Sequence, residues 1–206
     1  MMEQKNIYTV GHSTHPAEYF LELLNAHLIN CIIDVRSVAA SRFNPQYNKK
    51  SLEEFLKKNG ITYLHFDKEF GARQIQPEVL DEKGQVDFEK VRASKDFKSG
   101  VKRVETGLEK GFVPALMCAE ADPLDCHRFS MVSPALRKKF ILKHILKDKS
   151  LISQEELEEK LVEKYKKKLP AKNLFDKEMN HEEKIQYAFK LSNDAIGFSI
   201  NKRNNK

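Results

Sequence analysis

The chain has 206 residues, 40% of them hydrophobic and 32% charged, with no Trp. That is enough apolar content for one ordinary domain, or a domain with an appendage, and too much for a disordered chain. The net charge of +6 is unevenly spread: residues 1–136 carry 18 basic and 19 acidic groups, and residues 137–206 carry 18 and 11, so the basic excess lies wholly in the C-terminal third. No apolar run approaches the roughly 20 residues a membrane helix needs, so no membrane partner is expected. The polar start, Met1 to Lys5, leads at once into Ile7-Tyr8-Thr9-Val10, which argues against a signal peptide. Three cysteines, an odd count, fit free thiols in a reducing cytoplasm.

Taken in chain order, Asn6 to Val10 reads as a strand ending in Gly11-His12-Ser13. A helix follows, with Ser13 or Thr14 as N-cap, Pro16 in its first turn and Phe20, Leu23, Leu24 and Leu28 on one face. Asn30 to Arg36 is a continuous apolar run ending in Asp34-Val35-Arg36, the pattern of a strand buried on both faces. Past a polar loop from Ser37 to Lys50, Ser51-x-x-Glu54 suggests a capping box for a helix closed by Gly60. Ile61 to His65 is a third strand, and the long connection from Phe66 to Val86 is a candidate binding loop. Residues 87–109 read as helix with a break near Ser94, and Phe112 to Met117 as a fourth strand. Another helix is expected from Cys126, restarted by Pro134, and Phe140 to Leu146 is a fifth strand. Ser153-x-x-Glu156 predicts a capped helix through Tyr165, and a last helix covers about Asn180 to Ser192; Asn201 to Lys206 read as a frayed end. Alternating strands and helices predict an α/β fold: a mostly parallel open sheet of about five strands with flanking helices, residues 1–150, followed by a basic helical extension, residues 151–206.

Position carries the functional signal. Gly11-His12-Ser13, Asp34-Val35-Arg36 and Cys118-Ala119-Glu120 each follow directly on an apolar strand. The carboxyl ends of parallel strands share one edge, where ligands bind, so three polar clusters are brought together there. Gly11 and Ser13 sit where a strand-to-helix turn offers backbone N–H groups to an anion; a plain N-cap is the competing role for Ser13. Asp34 and Arg36 face the same way, either on a ligand or as an internal ion pair. Arg36, Arg42, Arg73 and Arg128 supply guanidiniums suited to phosphate or carboxylate. His12, Asp34, Cys118, Glu120 and His127 supply acid–base or nucleophilic groups, with the Cys118 thiol expected to be acidified by its setting. A buried structural role is the alternative for Cys118. Cys118, Cys126 and His127 form a weaker metal-binding alternative, since their spacing matches no standard zinc finger.

The combination of Thr9-Val10-Gly11-His12-Ser13, Asp34-Val35-Arg36-Ser37, Ser41-Arg42-Phe43-Asn44-Pro45, Gly60-Ile61-Thr62-Tyr63-Leu64-His65, Phe70-Gly71-Ala72-Arg73, Leu116-Met117-Cys118-Ala119-Glu120, Cys126-His127-Arg128 and His144-Ile145-Leu146 resembles domain-of-unknown-function family 488. The resemblance spans about residues 7–150, with Leu174-Phe175 echoing the family's tail. Gly71-Ala72 stands where members commonly carry a double Gly, and Pro134 where an unbroken helix is usual. The resemblance implies an α/β domain with a polar site at the sheet's carboxyl edge, and no reaction.

The leading expectation is a hydrolase or group transferase acting on an anionic small molecule or nucleotide-like substrate. No cofactor is expected, because no Gly-x-Gly-x-x-Gly fingerprint occurs. A nucleic-acid partner is the second reading, from the basic tail with Tyr165, Phe175, Tyr187 and Phe198 among its lysines; Glu155, Glu156, Glu158, Glu159 and Glu163 intersperse there and favour a solvated helix instead. A catalytically silent nucleotide sensor using the same edge is the third. The oligomeric state is not read from sequence.

Overall fold

The computed structural model describes residues 5–170 and 179–201. Leu174-Phe175 and residues 202–206 lie outside them. Six strands form one sheet: β1 (Asn6–Gly11), β2 (Cys31–Asp34), β3 (Thr62–His65), β4 (Pro114–Cys118), β5 (Ile141–Ile145) and β6 (Leu151–Ser153). Their order is β3-β2-β4-β1-β5-β6. The first five run parallel, and β6 pairs antiparallel with β5. The sheet thus has one strand more than expected; three residues between a turn and a capping box are too few to show a period.

Helices cover both faces. On one, Ile7, Ile33, Leu116 and Leu142 pack against α4 (Phe88–Ala93) and α5 (Lys95–Glu109) through Val91, Phe97, Val104 and Leu108. On the other, Val10, Ile32, Ala115 and Met117 meet α1 (Ala17–Asn25) and α2 (Lys49–Lys58) through Phe20, Leu24, Leu52 and Leu56. Neighbouring strand residues serve opposite layers, so each strand is buried on both faces and reads as a continuous apolar run. Burial weakens toward the edges: two of the four residues of β3 are exposed, as are Ile141 of β5 and Leu151 of β6.

Caps set several boundaries. Ser94 ends α4 and caps α5 by accepting from the Phe97 N–H, which is the expected break. The Ser153–Glu156 capping box opens α7 (Gln154–Tyr165), and an Asn180–Glu183 box opens α8 (His181–Ile196). Two expected caps fail. Neither Ser13 nor Thr14 caps α1: the helix starts at Ala17 behind Pro16, and Ser13 takes φ +49°. Leu28, placed on the buried face of that helix, lies beyond its end at φ +55° and is 81% exposed. Ser51 is inside α2, which starts two residues earlier behind Asn48.

Between β3 and α4 the chain forms a short helix, α3 (Asp67–Phe70), and a 3₁₀ turn at Pro77–Val79. After β4 come a 3₁₀ turn at Pro123–Asp125, a π-helical turn at Arg128–Val132 and α6 (Ser133–Leu136), with Pro134 in its first turn. The segment expected as helix from Cys126 thus opens as a wider π turn and becomes α-helical only at Ser133. α7 and α8 pack together over Phe129 and Ile152. Beyond α8 the chain returns to the α/β layer, where the Val86 N–H donates to Phe198 O at 2.8 Å and the Ile200 N–H to Gly84 O at 3.0 Å. No described helix is long and apolar enough to cross a membrane.

Candidate functional site

A cleft of about 670 Å³ opens at the carboxyl edge of the sheet. His12, Ser13, Arg36, Arg73, Cys118, Glu120 and His127 all line it, so polar groups separated by up to 115 positions share one wall. β1 and β4 are neighbours, and the chain leaves them toward opposite sides of the sheet: β1 leads to β2 and β4 leads to β5. A crevice forms between connections that diverge in this way. Ile196, the last residue of α8, and Phe198, just beyond it, also line the cleft.

The turn after β1 is tightly bound. The backbone N–H groups of His12 and Ser13 donate to Cys118 O and Ala119 O, both at 2.9 Å. They prolong the ladder with β4, so the anion cradle expected from Gly11 to Ser13 is not present; the donors are already used. Gly11 serves close approach instead, because a Cβ there would stand 1.9 Å from Glu120 O. His12 donates from Nδ1 to Ser13 O at 2.8 Å, and its Nε2 accepts from Arg36 Nη1 at 3.1 Å. Its ring stacks on Tyr47 with centroids 4.0 Å apart. Burial lowers its pKa to about 4, with the Arg36 and Arg128 charges adding to the effect. His12 is thus a neutral ring with both nitrogens engaged, and it presents neither a free base nor an acid to the cleft.

Asp34 and Arg36 form the internal ion pair. Arg36 Nε donates to both Asp34 oxygens at 2.9 and 3.1 Å, and Nη2 donates to Oδ2 at 2.6 Å and to Tyr47 O at 2.8 Å. Tyr63 Oη donates to Asp34 Oδ2 at 2.7 Å. Of the five guanidinium hydrogens, only the second one on Nη1 lacks a protein partner among the described residues. Arg36 can therefore offer a ligand one hydrogen bond, and Asp34 none. Tyr47 and Tyr63 were not singled out in the sequence. Tyr63 carries a faint signal, a hydroxyl on a strand beside the Asp34 strand; Tyr47 carries none.

The remaining arginines divide. Arg73 is exposed in the cleft lining, and its backbone N–H donates to Ser37 Oγ at 2.8 Å. Its guanidinium has no partner among the described residues. Arg42 is exposed and lies outside the cleft lining, beside the 94%-exposed Phe43. Arg128 is fully buried and donates to Glu120 O at 2.7 Å and Ala121 O at 3.1 Å. It fixes the loop after β4 and lies outside the cleft lining.

The reactive groups sit across from Arg36. Cys118 Sγ lies 2.8 Å and Cys126 Sγ 3.1 Å from the same oxygen of Glu120. His127 Nδ1 is 3.7 Å from Cys118 Sγ and 4.0 Å from Cys126 Sγ, while its Nε2 donates to Val35 O at 2.9 Å. Burial pushes Cys118 well above the ordinary thiol value, aided by the neighbouring Cys126. Burial also opposes ionisation of Cys126, but the bond with Cys118 and the charges of Arg128 and His127 outweigh it and bring that thiol well down. The bond between the two thiols and the charges of Arg128 and His127 thus favour one thiolate within the Cys118–Cys126 pair. The backbone N–H of Arg128, two residues on, donates to Cys126 Sγ at 3.5 Å. All three cysteines are free thiols, with Cys31 at the opposite edge of the sheet. Two sulfurs, a carboxylate and an imidazole so arranged could hold a metal ion or move protons.

Searches of curated proteins and of solved structures return no match. The profile described as "Domain of unknown function DUF488" matches residues 16–133, more than half of the chain, from the approach to α1 through the π-helical turn. The chain belongs to the DUF488 family.

Proposed function

We propose that the protein is a hydrolase or group transferase acting on a small anionic substrate, phosphate- or nucleotide-like, in the cleft at the sheet's carboxyl edge. One observation carries this reading: Cys118, Glu120 and His127, with the buried Cys126 in contact with Glu120, share a cleft with the Arg73 guanidinium, which has no partner among the described residues, and with the open Nη1 hydrogen of Arg36. Ionisable groups gathered in a concave site beyond what folding needs are the mark of chemistry. In this reading Arg73 and Arg36 hold the anion, and Cys118, Glu120, Cys126 and His127 face its reacting end. His12, Asp34, Tyr47 and Tyr63 orient Arg36.

The test is a panel of inorganic phosphate, pyrophosphate, nucleotides and sugar phosphates, screened by thermal shift and for turnover by chromatography. At least one compound is expected to raise the melting temperature and to be consumed. Arg73→Ala should leave the unliganded melting temperature unchanged and weaken binding by about tenfold to a hundredfold, the value of a hydrogen bond to a charged group. If no anion raises the melting temperature and none is consumed, the proposal falls. Binding without consumption would overturn the enzymatic part and leave a nucleotide sensor.

A further inference from the structure

We propose that Cys118, Glu120, Cys126 and His127 bind a single divalent metal ion of the zinc class at the wall of the cleft. Their ligand atoms, two Sγ, one carboxylate oxygen and one imidazole nitrogen, all lie within 4.8 Å of one another. Donors about 2.0–2.3 Å from one tetrahedral ion stand roughly 3.3–3.8 Å apart. Of the two sulfur–nitrogen separations, 3.7 Å lies within that range and 4.0 Å just above it, and the two sulfur–oxygen separations, 2.8 and 3.1 Å, lie below it. Rotation of Glu120, the exposed member, would lengthen the two short separations, and a shift of a few tenths of an ångström at His127 or Cys126 would close the 4.0 Å one.

Two further observations point the same way. His127 is already oriented as a ligand: its Nε2–H is held by Val35 O at 2.9 Å, which leaves the Nδ1 lone pair directed at the sulfurs. A backbone carbonyl in that role is the usual outer partner of a metal-binding histidine. In addition, three acidic groups converge, since both thiols meet the same oxygen of Glu120. A divalent cation neutralises all three together and uses every lone pair they direct inward.

The donor set also selects the ion. Two thiolates and an imidazole favour zinc, cobalt(II) or iron over magnesium or calcium, which take oxygen ligands. Glu120, on the cleft side, is the exchangeable ligand, so a pattern of two Cys and one His with a fourth, open position results. The inference stands apart from the proposed reaction, because metal uptake is read without any substrate.

The experiment uses the full chain, stripped by chelator dialysis under reducing conditions and titrated with cobalt(II) alone. One cobalt per chain is expected, with the strong visible bands of a tetrahedral ion and a thiolate-to-cobalt charge-transfer band, both bleached by one equivalent of zinc(II). Cys118→Ser and Cys126→Ser should each reduce the charge-transfer band, and Cys31→Ser should retain it. Should either serine variant fail to fold, Glu120→Gln keeps the test open: it should retain the charge-transfer band and release cobalt at least tenfold more readily. A wild-type chain that takes up no stoichiometric cobalt, or binds it without a thiolate band, overturns the proposal. So do bands unchanged in both folded serine variants.

Discussion

Replacing Gly11 by Ala places a methyl group 1.9 Å from Glu120 O and 2.8 Å from Glu120 C, both backbone atoms that no side-chain rotation can clear. Carbon and oxygen are comfortable at about 3.5 Å, so the loop after β4 must retreat by roughly 1.5 Å. Such a retreat takes Glu120 O out of reach of the buried Arg128 guanidinium, now 2.7 Å away, and loads the adjoining bond to Ala121 O. Overpacking costs about 1–3 kcal/mol, and a lost hydrogen bond to a buried charge about 1.5–3 kcal/mol more. The expected loss is thus about 3–5 kcal/mol, or roughly 6–20 °C in melting temperature for a chain of this size. Urea and thermal unfolding followed by circular dichroism measure it. Gly107→Ala is the control: it lies within α5 with nothing within 4 Å of its added Cβ, and should gain about 0.5–1 kcal/mol from helix propensity. A Gly11→Ala protein within 1 kcal/mol of wild type would refute this account of how β1 and the site loop are fastened together.

Three more outcomes are expected. Arg36→Leu strands the fully buried Asp34 with only Tyr63 and a backbone N–H as donors, and should cost about 3–5 kcal/mol in urea unfolding; the Asp34→Asn/Arg36→Leu double variant should recover part of that loss, and no recovery would contradict a charge-based cause. His144 accepts at Nδ1 from Thr9 and donates from Nε2 to Gln154, whose amide donates in turn to Glu158, the partner of Arg137. Burial drives its pKa down to about 3, with Arg128 adding to the effect. The unfolded chain therefore takes up a proton that the native one refuses below pH 6.5, and stability falls as pH drops from there toward 3, with a slope of up to one proton, roughly 1.4 kcal/mol per pH unit. His144→Gln should remove that component, so stability–pH curves that run parallel for the two proteins would dismiss it. Finally, Ser153→Ala removes one half of the capping box of α7 and should cost about 1 kcal/mol, a loss read from the urea midpoint.

The local chemistry of this chain is written in its sequence. Continuous apolar runs identified the central strands β2 and β4, because a strand covered on both faces has no polar side to show. Ser94, the Ser153–Glu156 box and Pro134 marked real breaks, since each acts within one turn of its own position. The placement of Gly11, Asp34 and Cys118 at strand ends was enough to predict that distant polar groups gather at one edge. What each group does there depended on contacts between segments far apart in the chain. The three-residue strand β6 exists because β5 offers it an edge. Ser13 has no capping role because α1 starts only at Ala17, behind Pro16, while the β1–β4 ladder continues past the strand ends and holds the Ser13 N–H. Asp34 and Arg36 turned to each other once Tyr47 and Tyr63 closed over them, Arg128 turned inward to hold the loop after β4, and Cys118 and Cys126 met on one oxygen of Glu120. Residue type fixes what a side chain is able to do; burial and the partners that compete for its hydrogen bonds decide which of those capacities is left for a ligand.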